Sequence, residues 1–267
     1  MRNLISWCLT VTFVPASLCA QVPKDPPHFQ AWVSPFAQSS TKRRSGNGGT
    51  DGEPHAVQWY EAAAVVSAVV IGGFLDDDVR DYSQNHRTET KDDIAKIFKH
   101  MGQPEVYASV GLGTILTGLI AGDDDITRAG GRITGSLITA GATNSIIKEV
   151  VGRKRPNSTT DPDEFAPFSG NVSFPSGHTA MAFALATSVS HEVHFLPAQI
   201  GLYSAATLTG WSRINDNKHW FSDVLGGAAV GITSAMIMDG KWTIFGLGQP
   251  HFLATPNGVS ASMSIAF

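Results

Sequence analysis

The stretch PSGHTAMAFALATSVS, residues 175–190, decides the fold, because a Pro-Ser-Gly-His turn leads directly into a helix of small and apolar side chains. Pro175 ends the preceding loop, and Ser176 is placed to cap the helix. Gly177 lets the backbone approach a ligand, and amide N–H groups of a first helical turn bind anions. His178 would stand beside such an anion, where it can give up a proton. The alternative is a structural turn with an incidental histidine.

Similar apolar stretches recur along the chain and are separated by polar breaks. They predict six helices, at Ala56–Leu75, Val106–Ala121, Ile133–Ile147, Thr179–Ser190, Gln199–Gly210 and Val224–Met238. A more polar helix is predicted near Asp92–Met101. The sequence therefore predicts an all-α fold, a six-helix-type bundle with a short C-terminal extended strand.

The predicted helices are rich in Ala, Gly, Ser and Thr, which allow helices to pack with close backbone contact. This composition suits both a soluble bundle and a membrane bundle. Most of the stretches are shorter than the roughly 20 residues that a membrane span needs. We favour a bundle that is attached to the membrane or partly embedded in it.

The two ends of the chain differ from its middle. Residues 1–20 have a basic start, an apolar stretch and small residues before Gln21, the pattern of a secretory signal peptide, and both cysteines lie there. Residues 21–55 are predicted to be a disordered linker, residues 56–240 the helical domain, and residues 241–267 a tail. The tail ends in the alternating segment Val259–Phe267, which predicts a strand. We therefore expect an exported protein that faces the periplasm in the cell envelope.

The charge distribution points to a small anionic ligand. The net charge is −4, which argues against nucleic acid as a partner because that would require a basic face. Positive charge is instead concentrated at Lys148, Arg153, Lys154 and Arg155. The alternative is the solvated end of a helix.

Two acidic triplets, Asp76–Asp78 and Asp123–Asp125, follow apolar stretches. Clustered carboxylates can bind a divalent cation. Each triplet also stands where one helix ends and the next begins, and Asp favours the N-cap and first turn of a helix. We expect the triplets to start helices.

Two cationic residues before the Pro-Ser-Gly-His turn are candidates for phosphate binding. Lys148 would add a point charge and Arg155 a planar fork that grips two oxygens, with Pro156 ending the helix that carries them. Taken alone, this pair is also typical of a cationic helix end. Arg213 downstream would add a third cation.

His219 and Asp223 are the most informative pair, because residues four apart share one face of a helix. Asp223 can accept the Nδ1–H of His219 and leave Nε2 free as a nucleophile. The two could instead bind a metal, but no third ligand is evident and the nearby cations would repel one. We expect no metal here.

Together these residues resemble the type 2 phosphatidic acid phosphatase and vanadium-dependent haloperoxidase superfamily, whose three-part signature they match between Lys148 and Asp223. The resemblance implies a helical bundle and a metal-independent phosphatase. It implies that His219 attacks phosphorus, that Asp223 orients it and that His178 protonates the leaving group. The implied phosphate-binding residues are Lys148, Arg155, Ser176, Gly177 and Arg213.

Members of this superfamily differ in their substrates. We expect a phosphatase for a phosphate ester or pyrophosphate of a lipid, without a cofactor. The alternatives are a soluble periplasmic acid phosphatase of class A type acting on small phosphoesters, a haloperoxidase with vanadate as cofactor, and a non-catalytic envelope protein. Class A acid phosphatases usually have Tyr and Gly-Ser before the turn, where this chain has Val172–Phe174. Vanadate would inhibit the phosphatase.

Overall fold

The computed structural model describes the backbone of residues 7–13, 54–244, 247–255 and 258–265. Two compact units are present, residues 58–239 and a second unit formed by the two ends of the chain. The larger unit is all-helical, which confirms the predicted fold class. Its helices are α1 (Trp59–Gly73), α2 (Asp76–Asn85), α3 (Glu89–Met101), α4 (Pro104–Ala121), α5 (Asp124–Val151), α6 (Gly177–Glu192), α7 (Leu196–Asn215) and α8 (Phe221–Met238).

Five of the six predicted apolar stretches lie within a helix, the first, Ala56–Leu75, extends beyond α1 at both ends, and α3 contains the predicted polar helix. The helix α2 was not among the predicted apolar stretches, because it carries few apolar side chains, and only its start was expected, from the triplet Asp76–Asp78. The acidic triplets start helices as expected: Asp76–Asp78 form the first turn of α2, and Asp123 caps α5 by accepting from the amides of Asp125 and Ile126.

The central helix α6 packs against α5, α7 and α8. Small residues make the α6–α8 contact close: a Cβ atom at Gly231 would lie 2.3 Å from the carbonyl oxygen of Ala180, and one at Gly227 would lie 2.5 Å from that of Ser176. This contact fixes the start of α6 against the start of α8. The predicted small-residue packing is therefore present.

The helix α5 ends earlier than predicted. Pro156 was expected to stop it, but the helix ends at Val151, and Gly152 follows with a left-handed φ of 59°. A Cβ atom at Gly152 would lie 1.9 Å from the carbonyl oxygen of Ala166. Glycine thus provides both the C-cap conformation and the space for the returning loop.

The second unit contains two small sheets. One has the strand order β1 (Trp7–Phe13), β5 (Gly258–Ile265), β4 (Leu247–Thr255), all antiparallel, and the other pairs β2 (His55–Ala56) with β3 (Trp242–Thr243) in parallel. The strand β5 confirms the predicted C-terminal strand. Trp7–Phe13 lies inside the predicted signal peptide, which stays a prediction, and residues 21–53 of the predicted linker lie outside the described residues.

Apolar side chains cover the outside of several helices. On α1, Trp59 is 80% exposed, and on α4, Ile120 is 88% exposed. Among the described residues, α4 and α8 are long and apolar enough to cross a membrane, and α1 is a shorter apolar helix. Only a small part of α4 is buried in the protein, whereas half of α8 is.

Candidate active site

The predicted site residues converge on one end of the helical unit. This is where α5 and α7 end and where α6 and α8 begin. The residues brought together there are Lys148, Arg155, Ser176, Gly177, His178, Arg213, His219 and Asp223. They come from four helices and two loops, so only the folded chain assembles them.

His219 and Asp223 are both buried and in contact, with 3.4 Å between His219 Nδ1 and Asp223 Oδ2. They do not share a helix face as predicted, because α8 begins at Phe221 and His219 lies in the turn before it. Asp223 instead turns back towards the start of its own helix, where it also accepts from the amide of Trp220 at 2.9 Å. Burial lowers the pKa of His219 against the opposing effect of Asp223. The ring is therefore neutral at pH 7, as a nucleophile must be.

His178 lies in the first turn of α6, close to the cationic side chains. Burial and, to a smaller extent, the nearby Arg213, His219, Lys99 and Arg155 together lower its pKa to about 4. A Cβ atom at Gly102 would lie 3.0 Å from the His178 ring, so the end of α3 forms one wall of the site. Neither Lys99 nor Gly102 was found by sequence analysis, since both lie far from the motif residues in the chain.

Ser176 occupies the N-cap position of α6, but its side chain makes no capping hydrogen bond, contrary to prediction. Its hydroxyl oxygen accepts from Thr179 Oγ1 at 2.9 Å, and its amide donates to the carbonyl oxygen of Asp223 at 2.9 Å. The Ser176 hydroxyl proton remains available for an anion. The amide bond to Asp223 ties the anion-binding turn to the histidine pair.

Lys148 holds the loop before α6 in place. Its ammonium donates to the carbonyl oxygens of Val172 and Pro175, each at 2.6 Å. Burial lowers the pKa of Lys148 to about 8, although Asp223 acts in the opposite direction. A Cβ atom at Gly177 would lie 4.0 Å from Lys148 Cε, so the charge also stands beside the first turn of α6. The residue thus combines a structural and an electrostatic role.

Arg155 and Arg213 carry donors that the protein does not use. Within the described part of the chain, the buried Nε atoms of both have no hydrogen-bond partner. Arg213 is 4% exposed, its Nη1 donates to Asp216 at 3.1 Å, and burial lowers its pKa. Arg155 lies beyond the end of α5 and not on it, contrary to prediction. Two buried guanidinium donors without acceptors favour an oxyanion ligand.

Arg153 is the main residue that sequence analysis did not assign to the site. It was noticed only as part of the basic cluster, yet its guanidinium is 3% exposed and donates to Asp223 Oδ1 at 2.8 Å. Ser173 donates to the other oxygen of the same carboxylate at 2.5 Å.

The described residues contain no group of three or more His, Cys, Asp or Glu side chains that could hold a metal ion.

Comparison with known proteins places this arrangement in a family. Residues 129–240 match the PAP2 superfamily, and this range contains all eight predicted site residues. This region is similar to a PAP2 domain. The resemblance expected from the sequence is thereby confirmed.

This chain is similar to two curated proteins. A lipid A 1-phosphatase of Porphyromonas gingivalis is 42% identical over 102 residues, which is 38% of this chain and 19% of that protein. Lipid phosphate phosphatase 2 of Arabidopsis thaliana is 30% identical over 132 residues, which is 38% of this chain and 46% of that protein. The chain thus spans less than half the length of these relatives.

A solved structure shares the fold of this chain. The transmembrane PAP2 type phosphatidylglycerolphosphate phosphatase from Bacillus subtilis matches with a TM-score of 0.54 at 19% sequence identity. The match covers 68% of this chain and 95% of that one. At this identity the likeness concerns the fold alone.

Proposed function

We propose that this protein is a membrane-associated, metal-independent phosphatase that hydrolyses a phosphate ester or pyrophosphate of a lipid through a phosphohistidine. The observation that carries the proposal is the pair of buried, unpartnered Nε donors of Arg155 and Arg213 beside His178. A phosphoryl group supplies the acceptors that these donors lack. Such preorganised donors stabilise the charge that develops on the equatorial oxygens.

A residue can then be assigned to each step of the proposed reaction. Nε2 of His219 attacks phosphorus, the bond from phosphorus to the ester oxygen breaks, and His178 gives its proton to that oxygen. Asp223 holds the Nδ1 proton of His219 and balances the positive charge of the phosphorylated ring. Water then attacks phosphorus while the neutral His178 takes one of its protons, which releases phosphate and regenerates both histidines.

His178 must be protonated at the first step, although its pKa in the described structure is about 4. A bound phosphate dianion reverses the influence of Arg213 and Arg155, because negative charge favours a protonated imidazole. Binding of the substrate therefore favours the protonated form of His178, the general acid. This coupling restricts protonation to the occupied site.

The apolar exterior favours a lipid substrate over a soluble one. Exposed apolar side chains cover α1 and α4, and the curated relatives are named as phosphatases of lipid A and of lipid phosphate. Export to a periplasm-facing position in the envelope belongs to the same proposal.

A turnover assay in detergent tests the function. The purified protein should hydrolyse a lipid phosphate in mixed micelles in the presence of EDTA, and vanadate should inhibit it. His219→Ala should lower kcat by at least about a thousandfold, since it removes the nucleophile. The matched control is His194→Ala, because His194 is exposed and lies near the other end of α6.

The outcomes separate the alternatives. Equal rates for wild type and His219→Ala would reject the enzymatic proposal and favour an envelope protein that only binds anions. Preference for a soluble phosphomonoester over every lipid phosphate would favour the class A acid phosphatase. Bromide oxidation with vanadate and peroxide would favour the haloperoxidase.

A further inference from the structure

Arg153 lies two residues before the proposed phosphate ligand Arg155 but makes different contacts. Its guanidinium is buried between the rings of Phe165 and Trp220, with centroids 5.2 Å and 5.4 Å from Cζ. Its Nε donates to the carbonyl oxygen of Pro162 at 2.8 Å. Residue 153 pairs with residue 165 in an isolated antiparallel bridge. Arg153 is therefore held within the protein, whereas the Nε of Arg155 has no acceptor among the described residues.

The remaining nitrogens of Arg153 join two buried carboxylates. Nη1 donates to Asp223 Oδ1 at 2.8 Å, and Nη2 donates to Asp76 Oδ2 at 2.7 Å. Nη1 also donates to Ser222 Oγ at 2.7 Å. Both carboxylates are completely buried. One arginine thus pairs with two acids that water does not reach.

Asp76 anchors this arrangement to α8. Its Oδ1 accepts from the amide of Ser222 at 2.8 Å, and its Oδ2 accepts from the hydroxyl of the same residue at 2.6 Å. Asp76 belongs to α2, which lies outside the region that matches the PAP2 superfamily. The contacts of Asp76 therefore connect α2 to the residue next to Asp223.

Asp223 is thus held on both oxygens. Arg153 donates to Oδ1, whereas the hydroxyl of Ser173, the amide of Trp220 and the Nδ1 of His219 approach Oδ2. A carboxylate fixed by donors on both sides cannot rotate freely. The orientation of the His219 ring depends on this carboxylate, because Nδ1 has no other hydrogen-bond partner within the described residues.

We propose that Asp76 and Arg153 are positioning residues for the nucleophile, with Asp76 fixing Arg153, Arg153 fixing the carboxylate of Asp223, and Asp223 fixing the tautomer and charge of His219. The inference rests on the proposed function and extends it to two residues outside the three-part signature. Partners that orient an imidazole through a carboxylate typically matter about 10- to 100-fold for activity.

The charges around His219 make the inference specific. Lys148 on α5, His178 on α6, Arg213 on α7 and Arg155 in the loop face the site from the other elements. In the buried cluster next to His219, Asp223 and Asp76 carry two negative charges and Arg153 carries one positive charge. Removing the charge of Asp76 therefore lowers the pKa of His219, and removing that of Arg153 raises it.

The test compares Asp76→Asn, Arg153→Gln and Arg153→Lys with wild type on a soluble phosphomonoester. Asp76→Asn should lower kcat about tenfold with KM unchanged, as for loss of an orienting partner. The acidic limb of the pH profile of kcat/KM follows the pKa of His219. It should therefore move to lower pH in Asp76→Asn and to higher pH in Arg153→Gln. Arg153→Lys keeps the positive charge, so its acidic limb should lie at the wild-type pH. Its kcat should nevertheless stay below that of the wild type. Substrate ionisation is common to all variants and cancels in the comparison.

The matched control is Asp77→Asn, the same change at the next position of α2, where the side chain is 54% exposed. It should leave both kcat and the limb unchanged. A purely structural role would lower activity without moving the limb, or would move it in the same direction in both charge variants, and either result would overturn the inference. If Arg153→Gln does not fold, the comparison of Asp76→Asn with Arg153→Lys decides.

A second readout does not depend on turnover. The ¹⁵N shifts of His219 at neutral pH should show the Nδ1–H tautomer in wild type and a mixture of tautomers in Asp76→Asn. A wild type that turns over no phosphate compound but shows this tautomer difference would refute the proposed function and leave the positioning role standing. An identical tautomer in both proteins would refute the positioning role.

Discussion

His178 is the residue whose charge depends most on the ligand. Its pKa of about 4 results first from burial and then from nearby cations, two of which are proposed to hold phosphate. Vanadate bound between Arg155 and Arg213 should therefore raise the pKa of His178 by more than one unit. An NMR titration of the His178 ring with and without vanadate measures this change. Protonation should occur near pH 4 without vanadate and at clearly higher pH with it.

The resonance of His194 provides the internal control for this titration. It lies near the other end of α6, so its resonance should be the same with and without vanadate. An unchanged His178 titration at saturating vanadate would contradict its placement beside the anion.

At the residue level, sequence analysis found the side chains that stand at a fixed spacing in the sequence. His219 and Asp223 are in contact as predicted, although the reason differs, because Asp223 turns back towards the turn that carries His219. Asp76 and Arg153 could not be found in this way, because their contact joins residues 77 positions apart. A buried ion pair of this kind depends on tertiary packing, and the acidic triplet around Asp76 only indicated the start of a helix.

The contact of α6 with α8 determines whether the two halves of the site meet. Gly231 lies where a Cβ atom would come within 2.3 Å of the Ala180 carbonyl oxygen. Gly231→Ala should therefore separate the helices and lower the free energy of unfolding by about 1–3 kcal/mol, the usual cost of overpacking. Thermal unfolding followed by circular dichroism measures the change. Activity should fall with it, since Ser176 and Asp223 are joined across this contact.

Gly113→Ala in α4 is the matched control, because a Cβ atom there meets nothing within 4 Å. This change should raise stability slightly, as alanine is the better helix former. Equal stability of the Gly231→Ala variant and wild type would show that α6 and α8 can separate without cost.

At the level of elements, apolar stretches predicted the helices that bury one face. Of α2 only the start was predicted, from its acidic triplet, because the residues that follow are mostly polar. Asp76 in its first turn contacts α8. The end of α5 was misplaced because a glycine C-cap, and not Pro156, stops the helix. Sequence analysis locates the end of such a helix only when the glycine is recognised as its C-cap.

The exterior of the helical unit decides between a soluble and a membrane-bound enzyme. Several large apolar side chains are exposed on both α1 and α4, and large exposed apolar patches mark protein or membrane interaction sites. We expect the protein to stay with the membrane fraction of a bacterial host after osmotic shock and after a high-salt wash. Detergent should release it with its activity, because detergent covers the apolar faces.

Charged substitutions on the apolar exterior test the same surface directly. Ile120 is 88% exposed in α4, and Ile120→Asp should weaken retention in the membrane without changing turnover of a soluble phosphomonoester, since it lies away from the eight site residues. An aspartate costs about 2.5–3.5 kcal/mol at the centre of a membrane helix and less near an interface. The control is Asp124→Asn, a polar substitution at the start of α5 that adds no charge to an apolar face. Release of the wild type by osmotic shock alone would contradict membrane association and would move the favoured substrate from a lipid to a soluble phosphoester.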